Sequence, residues 1–190
     1  EIRLSLVGSE MCIETDLGLS GGDQQTRFSL GASLDDTAGI NRTRTSYPSD
    51  GDHDAYRNQA ISFSLSHAFT DEIDAGVNVL DNRGKSEFDN PFGRYDSLNY
   101  QSFQQQPYTD FTVSSVSSYV DARLNDAWKS RLELGHSENR EKTLDKLSDD
   151  RSVFNTYRDS LTWQNDLTLN DQNSLILGGD WYEDRVNSST

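Results

Sequence analysis

The chain has 190 residues, of which only 33% are apolar and 26% are charged, and its formal net charge is −15. Aromatic residues nevertheless reach 10% and prolines number three, which is not the aromatic-poor, proline-rich composition of a disordered chain. Seventeen basic residues scattered among thirty-two acidic ones exclude a nucleic-acid surface, because phosphate binding needs clustered Lys and Arg to release counterions. No apolar run is longer than three residues, Leu175–Leu177 being one, so a membrane helix of about 20 apolar residues is excluded as well. An ordered chain with so few apolar residues fits a transmembrane β-barrel, whose strands turn only one side to lipid.

Residues 1–15 read as foreign to the rest. They hold the only Cys, Cys12, and the only Met, Met11, and show neither the strand nor the helix period. They also lack the basic start and continuous apolar stretch of a signal peptide. Back-translated, Leu6–Ile13 can be written CTC GTG GGC TCG GAG ATG TGT ATA, which resembles the transposon adapter of short-read sequencing libraries. On that reading the segment 1–15 is adapter-derived and the native frame opens near Asp16, so Cys12 says nothing about redox compartment.

From Thr26 onward, apolar and polar residues alternate in stretches of about 10 residues, the weak signature of barrel strands. Ile61, Phe63, Leu65 and Phe69 alternate with Ser62, Ser64 and Ser66. Ile73, Ala75, Val77 and Val79 then oppose Asp74 and Asn78, and Trp128, Leu132 and Leu134 oppose Lys129, Arg131 and Glu133. Over Phe154–Leu169, Tyr157, Leu161, Trp163, Leu167 and Leu169 fall on one side and Arg158, Thr162, Gln164 and Asp166 on the other. The reading gives about seven strands: 17–34, 56–69, 73–81, 110–124, 128–137, 152–169 and 174–186.

The connections alternate between short and long. Thr70-Asp71-Glu72, Asn125-Asp126-Ala127 and Asn170-Asp171-Gln172-Asn173 carry turn residues, whereas 35–55, 82–109 and 138–151 are long and polar. An up-and-down barrel predicts tight turns at one end and extended loops at the other. Phe69 and Trp128 beside the tight turns, with Tyr157 and Trp181 towards the loops, would form its aromatic girdles. Arg131, Glu133, Arg158, Asp166 and Asp180 would face the lumen. An odd strand count cannot close a typical bacterial barrel, so strands are expected beyond both ends.

The stretch Ser49-Asp-Gly-Asp-His-Asp-Ala-Tyr-Arg-Asn-Gln-Ala-Ile-Ser-Phe-Ser-Leu-Ser-His-Ala-Phe-Thr-Asp71, followed by Leu80-Asp-Asn-Arg-Gly-Lys-Ser-Glu-Phe-Asp-Asn-Pro-Phe92, resembles the early barrel region of the TonB-dependent cobalamin (vitamin B12) receptor family. The resemblance implies an all-β fold in which residues 16–190 are part of a transmembrane up-and-down antiparallel barrel of 22 strands, without the plug domain and TonB box. It implies a bacterial outer-membrane location and active uptake of cobalamin. The implied partners are outer-membrane lipid and the TonB complex acting through the missing plug. Asp52, Asp54 and Asp89 match the family's calcium-binding loop aspartates, so a structural calcium ion in the outer loops is expected. Asp50 joins them on spacing alone, since converging carboxylates suit a hard cation that takes about 6–8 oxygen ligands.

Enzyme chemistry finds no foothold in the sequence. His53, His67 and His136 lack zinc-site spacing, no Gly-x-Ser-x-Gly elbow is present, and Gly178-Gly179 precedes no helix that could cradle phosphate. A ferric-siderophore receptor of the same fold is one alternative function. The other is a soluble secreted β-sandwich adhesin or lectin, which would also account for turns, acidity and an acidic loop.

Overall fold

The computed structural model describes residues 2–9, 12–40, 53–89, 94–96, 101–103 and 105–189. The chain is all-β: β1 (Ile2–Ser9), β2 (Cys12–Gly22), β3 (Thr26–Thr37), β4 (Tyr56–Ala68), β5 (Ile73–Glu87), β6 (Arg94–Asp96), β7 (Gln101–Phe103), β8 (Pro107–Asn125), β9 (Trp128–Asp145), β10 (Arg151–Asn170) and β11 (Asn173–Ser189). Nine of these form one antiparallel meander in the order β1-β2-β3-β4-β5-β8-β9-β10-β11, and β6 pairs with β7 as a separate hairpin within the connection from β5 to β8.

The expected seven strands of a 22-stranded barrel are corrected to an open nine-stranded sheet. Its edges are β1 and β11, which do not pair with each other, so the sheet does not close. One miscounted element is the expected strand 17–34, which is the hairpin β2–β3. The backbone turns at Gly22, where φ is 145°, a region essentially reserved for glycine. A Cβ there would collide with the Thr26 carbonyl. The segment 2–9, expected to lack periodicity, forms β1 and pairs with β2 from Ile2↔Leu19 to Ser9↔Cys12.

Side-chain oxygens close the tight turns by taking backbone N–H groups that the ladder leaves over. Asp23 Oδ1 accepts from the N–H groups of Gln25 and Thr26 at 2.8 and 2.7 Å. Thr70 Oγ1 accepts from Glu72 and Ile73, both at 3.1 Å. Asn125 Oδ1 accepts from Ala127 at 2.9 Å, and Asn170 Oδ1 from Gln172 at 3.0 Å. The three short connections expected from turn residues therefore lie where the sequence placed them. Strands at the other end run further than alternation suggested: β9 continues to Asp145 and β5 to Glu87, into segments expected to be loop.

The registers sort the side chains onto two faces. Phe28, Leu65, Val77, Ser118, Leu134, Leu161 and Trp181 occupy one level across seven strands. One level above, Leu19, Leu30, Phe63, Val79 and Val116 continue the same face. The band is apolar but uncovered: Ile61 is 56% exposed and Leu134 54%, and no apolar side chain among the described residues is buried. At its turn end Asn165, 6% exposed, accepts a hydrogen bond from Trp128 Nε1 at 2.9 Å. Trp163 Nε1 donates to Ser130 Oγ at 3.0 Å. The described residues supply a single layer rather than the two facing sheets of a sandwich. Among them no helix is long and apolar enough to cross a membrane.

Candidate ligand-binding surface

The opposite face is polar, and its two ends differ in how far their polar groups satisfy one another. At the tight-turn end, β5, β8, β9 and β10 line a cleft of ≈ 570 Å³ with Asp74, Asp121, Arg123, Lys129, Arg131 and Asp166. Arg131 reaches Asp121 at 2.9 Å and Glu133 at 3.1 Å, and its guanidinium lies 4.2 Å from the ring centroid of Tyr119. That ring covers Gly76, where a Cβ would meet it. Burial pushes the Asp121 carboxyl up; Arg131 opposes the shift, Asp74 adds to it, and the net direction is upward. Burial, aided by Asp74, likewise raises the Tyr119 hydroxyl. Arg158 and Asp184 pair further along the same face, at 2.6 Å. Arg131, Glu133, Arg158, Asp166 and Asp180, expected on a common side, do share this face.

At the long-loop end three amide acceptors lack donors. The side-chain carbonyl oxygens of Asn58 on β4, Asn82 on β5 and Asn139 on β9 are shielded from solvent and take no hydrogen bond. Each acceptor left in that state costs on the order of 1–3 kcal/mol. Asn139 is oriented by its own amide N–H group, which donates to Glu141 at 3.2 Å. Between these strands Tyr56 and Phe111 stack with centroids 6.2 Å apart and planes at 21°. The Phe111 ring occupies the space in which a Gly84 Cβ would stand. Register explains the grouping: Ala60, Asn82, Val113, Asn139 and Thr156 share one level, with Asn58, Gly84 and Phe111 on the next.

Beyond the aromatic pair, Asp54 and Asp89 line one cleft of ≈ 470 Å³ together with Glu87 and Tyr56. Two of the four expected metal-site aspartates are thus brought together; Asp50 and Asp52 lie outside the described residues. Gly39, with φ of 67°, lets the β3 end pass so close to Asp54 that a Cβ would strike the Asp54 carbonyl. Glu87 is held by Lys85 at 2.7 Å and Lys146 at 3.0 Å. Burial pushes its carboxyl up, but the two lysines outweigh burial and leave it below the ordinary glutamate range.

Asp89 also lines a neighbouring cleft of ≈ 780 Å³ with Asp145, Asp149 and Asp150. One oxygen of Asp89 and one of Asp145 are shielded without a hydrogen-bond partner, while the other Asp145 oxygen accepts from Leu147 and Ser148. Among the described residues, no group of three or more His, Cys, Asp or Glu side chains is arranged to hold a metal ion. Sequence reading missed Asn58, Asn82, Asn139, Phe111 and Asp145.

Each histidine sits in a different setting. His53 is exposed just before β4 begins. His67 Nδ1 lies 2.8 Å from Thr26 Oγ1. His136 stands between Asp159 at 2.6 Å and Glu138 at 3.4 Å, and these hydrogen bonds, that to Asp159 first, raise its pKa.

The expected outer-membrane location, the lipid and TonB-complex partners, and uptake of cobalamin or a siderophore rested on two supports. One was the reading of these strands as part of a barrel wall, and they form an open sheet. The other was the resemblance to the cobalamin-receptor family, and it is corrected by the comparison with known proteins: no family model matches the chain, and no curated protein matches it either.

Proposed function

We propose that this chain is a binding module of the adhesin or lectin class rather than an enzyme, and that it meets its target with the polar face of the sheet at the long-loop end. The carrying observation is the contrast along that face. The charges of the turn end are spent on one another, whereas towards the loop end three shielded amide oxygens stand without donors near an aromatic pair. A ligand whose docking opens the packing over these oxygens and brings donors to them relieves this deficit, since an unmade hydrogen bond costs more than a made one contributes. The reading keeps the class of function and not the sandwich architecture.

The direct test applies the purified chain to arrays of glycans and peptides. Binding should be lost in Ser115→Arg, which places a long cation in the middle of the polar face, and kept in Val116→Thr on the opposite face. Retention of binding in the first and loss in the second would refute the assignment of the face.

Calcium is the cofactor proposed for the loop cleft. Its support is the meeting of Asp54 and Asp89 in one cleft and the unpartnered oxygens of Asp89 and Asp145, because a hard cation takes oxygen ligands from carboxylates and loop carbonyls. A melting experiment with calcium and with chelator tests it. The wild type should melt higher with calcium and Asp89→Asn should not respond; identical responses would remove calcium from the account.

A further inference from the structure

We infer that the apolar face of the sheet is a dimerisation surface, on which two copies of this chain stack face to face, strands antiparallel, and complete a two-layer β-sandwich. The inference is independent of the reading of the polar face, which such a stack leaves outward. A sheet with one apolar face is stabilised by burying it against a second layer, and the described residues supply a single layer. The face has the size a dimer needs. It spans eight strands from β2 to β11, about 34 Å, and runs about 27 Å along β8 from Val116 to Leu124. That footprint of about 900 Å² matches the roughly 800 Å² that each partner covers in a stable complex.

The chemistry of the face suits dry contact with a second copy. Its polar groups already bond to one another: His67 Nδ1 lies 2.8 Å from Thr26 Oγ1, Trp128 Nε1 donates to Asn165 at 2.9 Å and Trp163 Nε1 to Ser130 at 3.0 Å. Covering them breaks none of these bonds. Each copy carries a net charge of −15, so two copies must meet where that charge is absent. Between the tight turns and a boundary at Ile61, Val79, Val116, Leu134, Leu161 and Trp181, the strand positions of this face hold no Asp, Glu, Lys or Arg. Beyond that boundary lies a belt of ion pairs, with Arg83 on Asp81 at 2.7 Å and Arg140 on Glu138 at 2.6 Å. The belt sets the orientation. Stacking with the loop ends together would press two belts into a gap of about 10 Å, where loss of their hydration opposes association. The antiparallel stack leaves each belt in water beyond the turns of the other copy. Val120, 45% exposed in the middle of the band on β8, then faces the same residue of the second copy.

The test is sedimentation equilibrium of the full chain with Cys12→Ser, which should give a species of twice 21.4 kDa. Val120→Glu sets two like charges at the centre of the stack and should weaken the dimer at least about tenfold, with the circular-dichroism sheet signal kept. Ser64→Glu, on the outward face, should dimerise as the wild type does. A spin label at Thr112 on β8 reads the orientation and needs no change within the band. Two such labels should stand about 50 Å apart in the antiparallel stack, against less than about 20 Å with the loop ends together. A monomer, an assembly larger than a dimer, undiminished association in Val120→Glu, or the shorter label distance would overturn the inference. So would a chain that is monomeric in buffer and taken up by phosphatidylcholine vesicles, which would give the face to a lipid surface instead.

Discussion

Two neighbouring rows of the same strands carry opposite chemistry. Phe28, Leu65, Val77, Leu134, Leu161 and Trp181 lie on one face; Ser29, Ser64, Asn78, Gly135, Ser160 and Tyr182 lie on the other, each one residue along the chain from its counterpart. Backbone hydrogen bonding is common to both rows, so the ladder cannot distinguish them; the period of two in side-chain direction does. The comparison teaches that this sheet is specified by segregation and not by a core. Its apolar row leaves a contiguous exposed surface of the kind that marks interaction or association, and its polar row is where specific hydrogen bonding can occur.

Charging the apolar row should produce the largest effect. The double variant Leu65→Glu/Leu134→Glu should reduce self-association of the purified chain several-fold in light scattering. Ser64→Glu/Ser117→Glu, carrying the same charges on the opposite face, should leave it little changed. Equal effects from the two pairs would break the distinction between the faces.

A smaller effect is expected where backbone conformation sets the register on which both rows depend. Gly22→Ala places a Cβ at positive φ and against the Thr26 carbonyl, which should cost roughly 1–3 kcal/mol as read by denaturant unfolding. Gly18→Ala, whose Cβ would meet open space, should cost less than about 1 kcal/mol. Similar costs would show that the β2–β3 turn does not constrain the sheet.

The smallest effects are those of pH. His136 is raised above its ordinary value of 6.5, so its contribution to stability is complete below that value and is lost as pH rises through the higher folded pKa. Glu87 is lowered from its ordinary 4.5, so its contribution is present above that value and is lost as pH falls through the folded pKa. His136→Gln should flatten the alkaline limb of a melting profile and Glu87→Gln the acidic limb. A profile in which either variant alters the other limb would contradict these pairings.

Alternation made part of this legible. The two sides of Phe154–Leu169 were readable because the apolar period there is unbroken, and three tight turns were readable from Thr70, Asn125 and Asn170, whose side chains do close them. The β2–β3 hairpin left a signal that was not used: the apolar positions change phase from Leu17 and Leu19 to Phe28 and Leu30, and a single strand cannot change phase without a break. Whether the strands belong to a barrel wall was not legible, because alternation fixes the two faces of each strand and says nothing of how far the sheet they build curves. The meeting of Asp54 and Asp89 follows from the register Tyr56↔Ser86, which aligns the starts and ends of β4 and β5. The Asn58, Asn82 and Asn139 grouping depends on three successive registers, none of which a single strand's pattern encodes.

Openness of the sheet is the claim on which the rest depends, and a distance across it tests that claim most directly. With Cys12 replaced by Ser, spin labels at Ser29 on β3 and Tyr182 on β11 occupy one register level, six strand spacings apart. An open sheet predicts a separation of about 29 Å by pulsed electron resonance. A separation of about 14 Å, the three spacings left if β1 and β11 were joined, would contradict it.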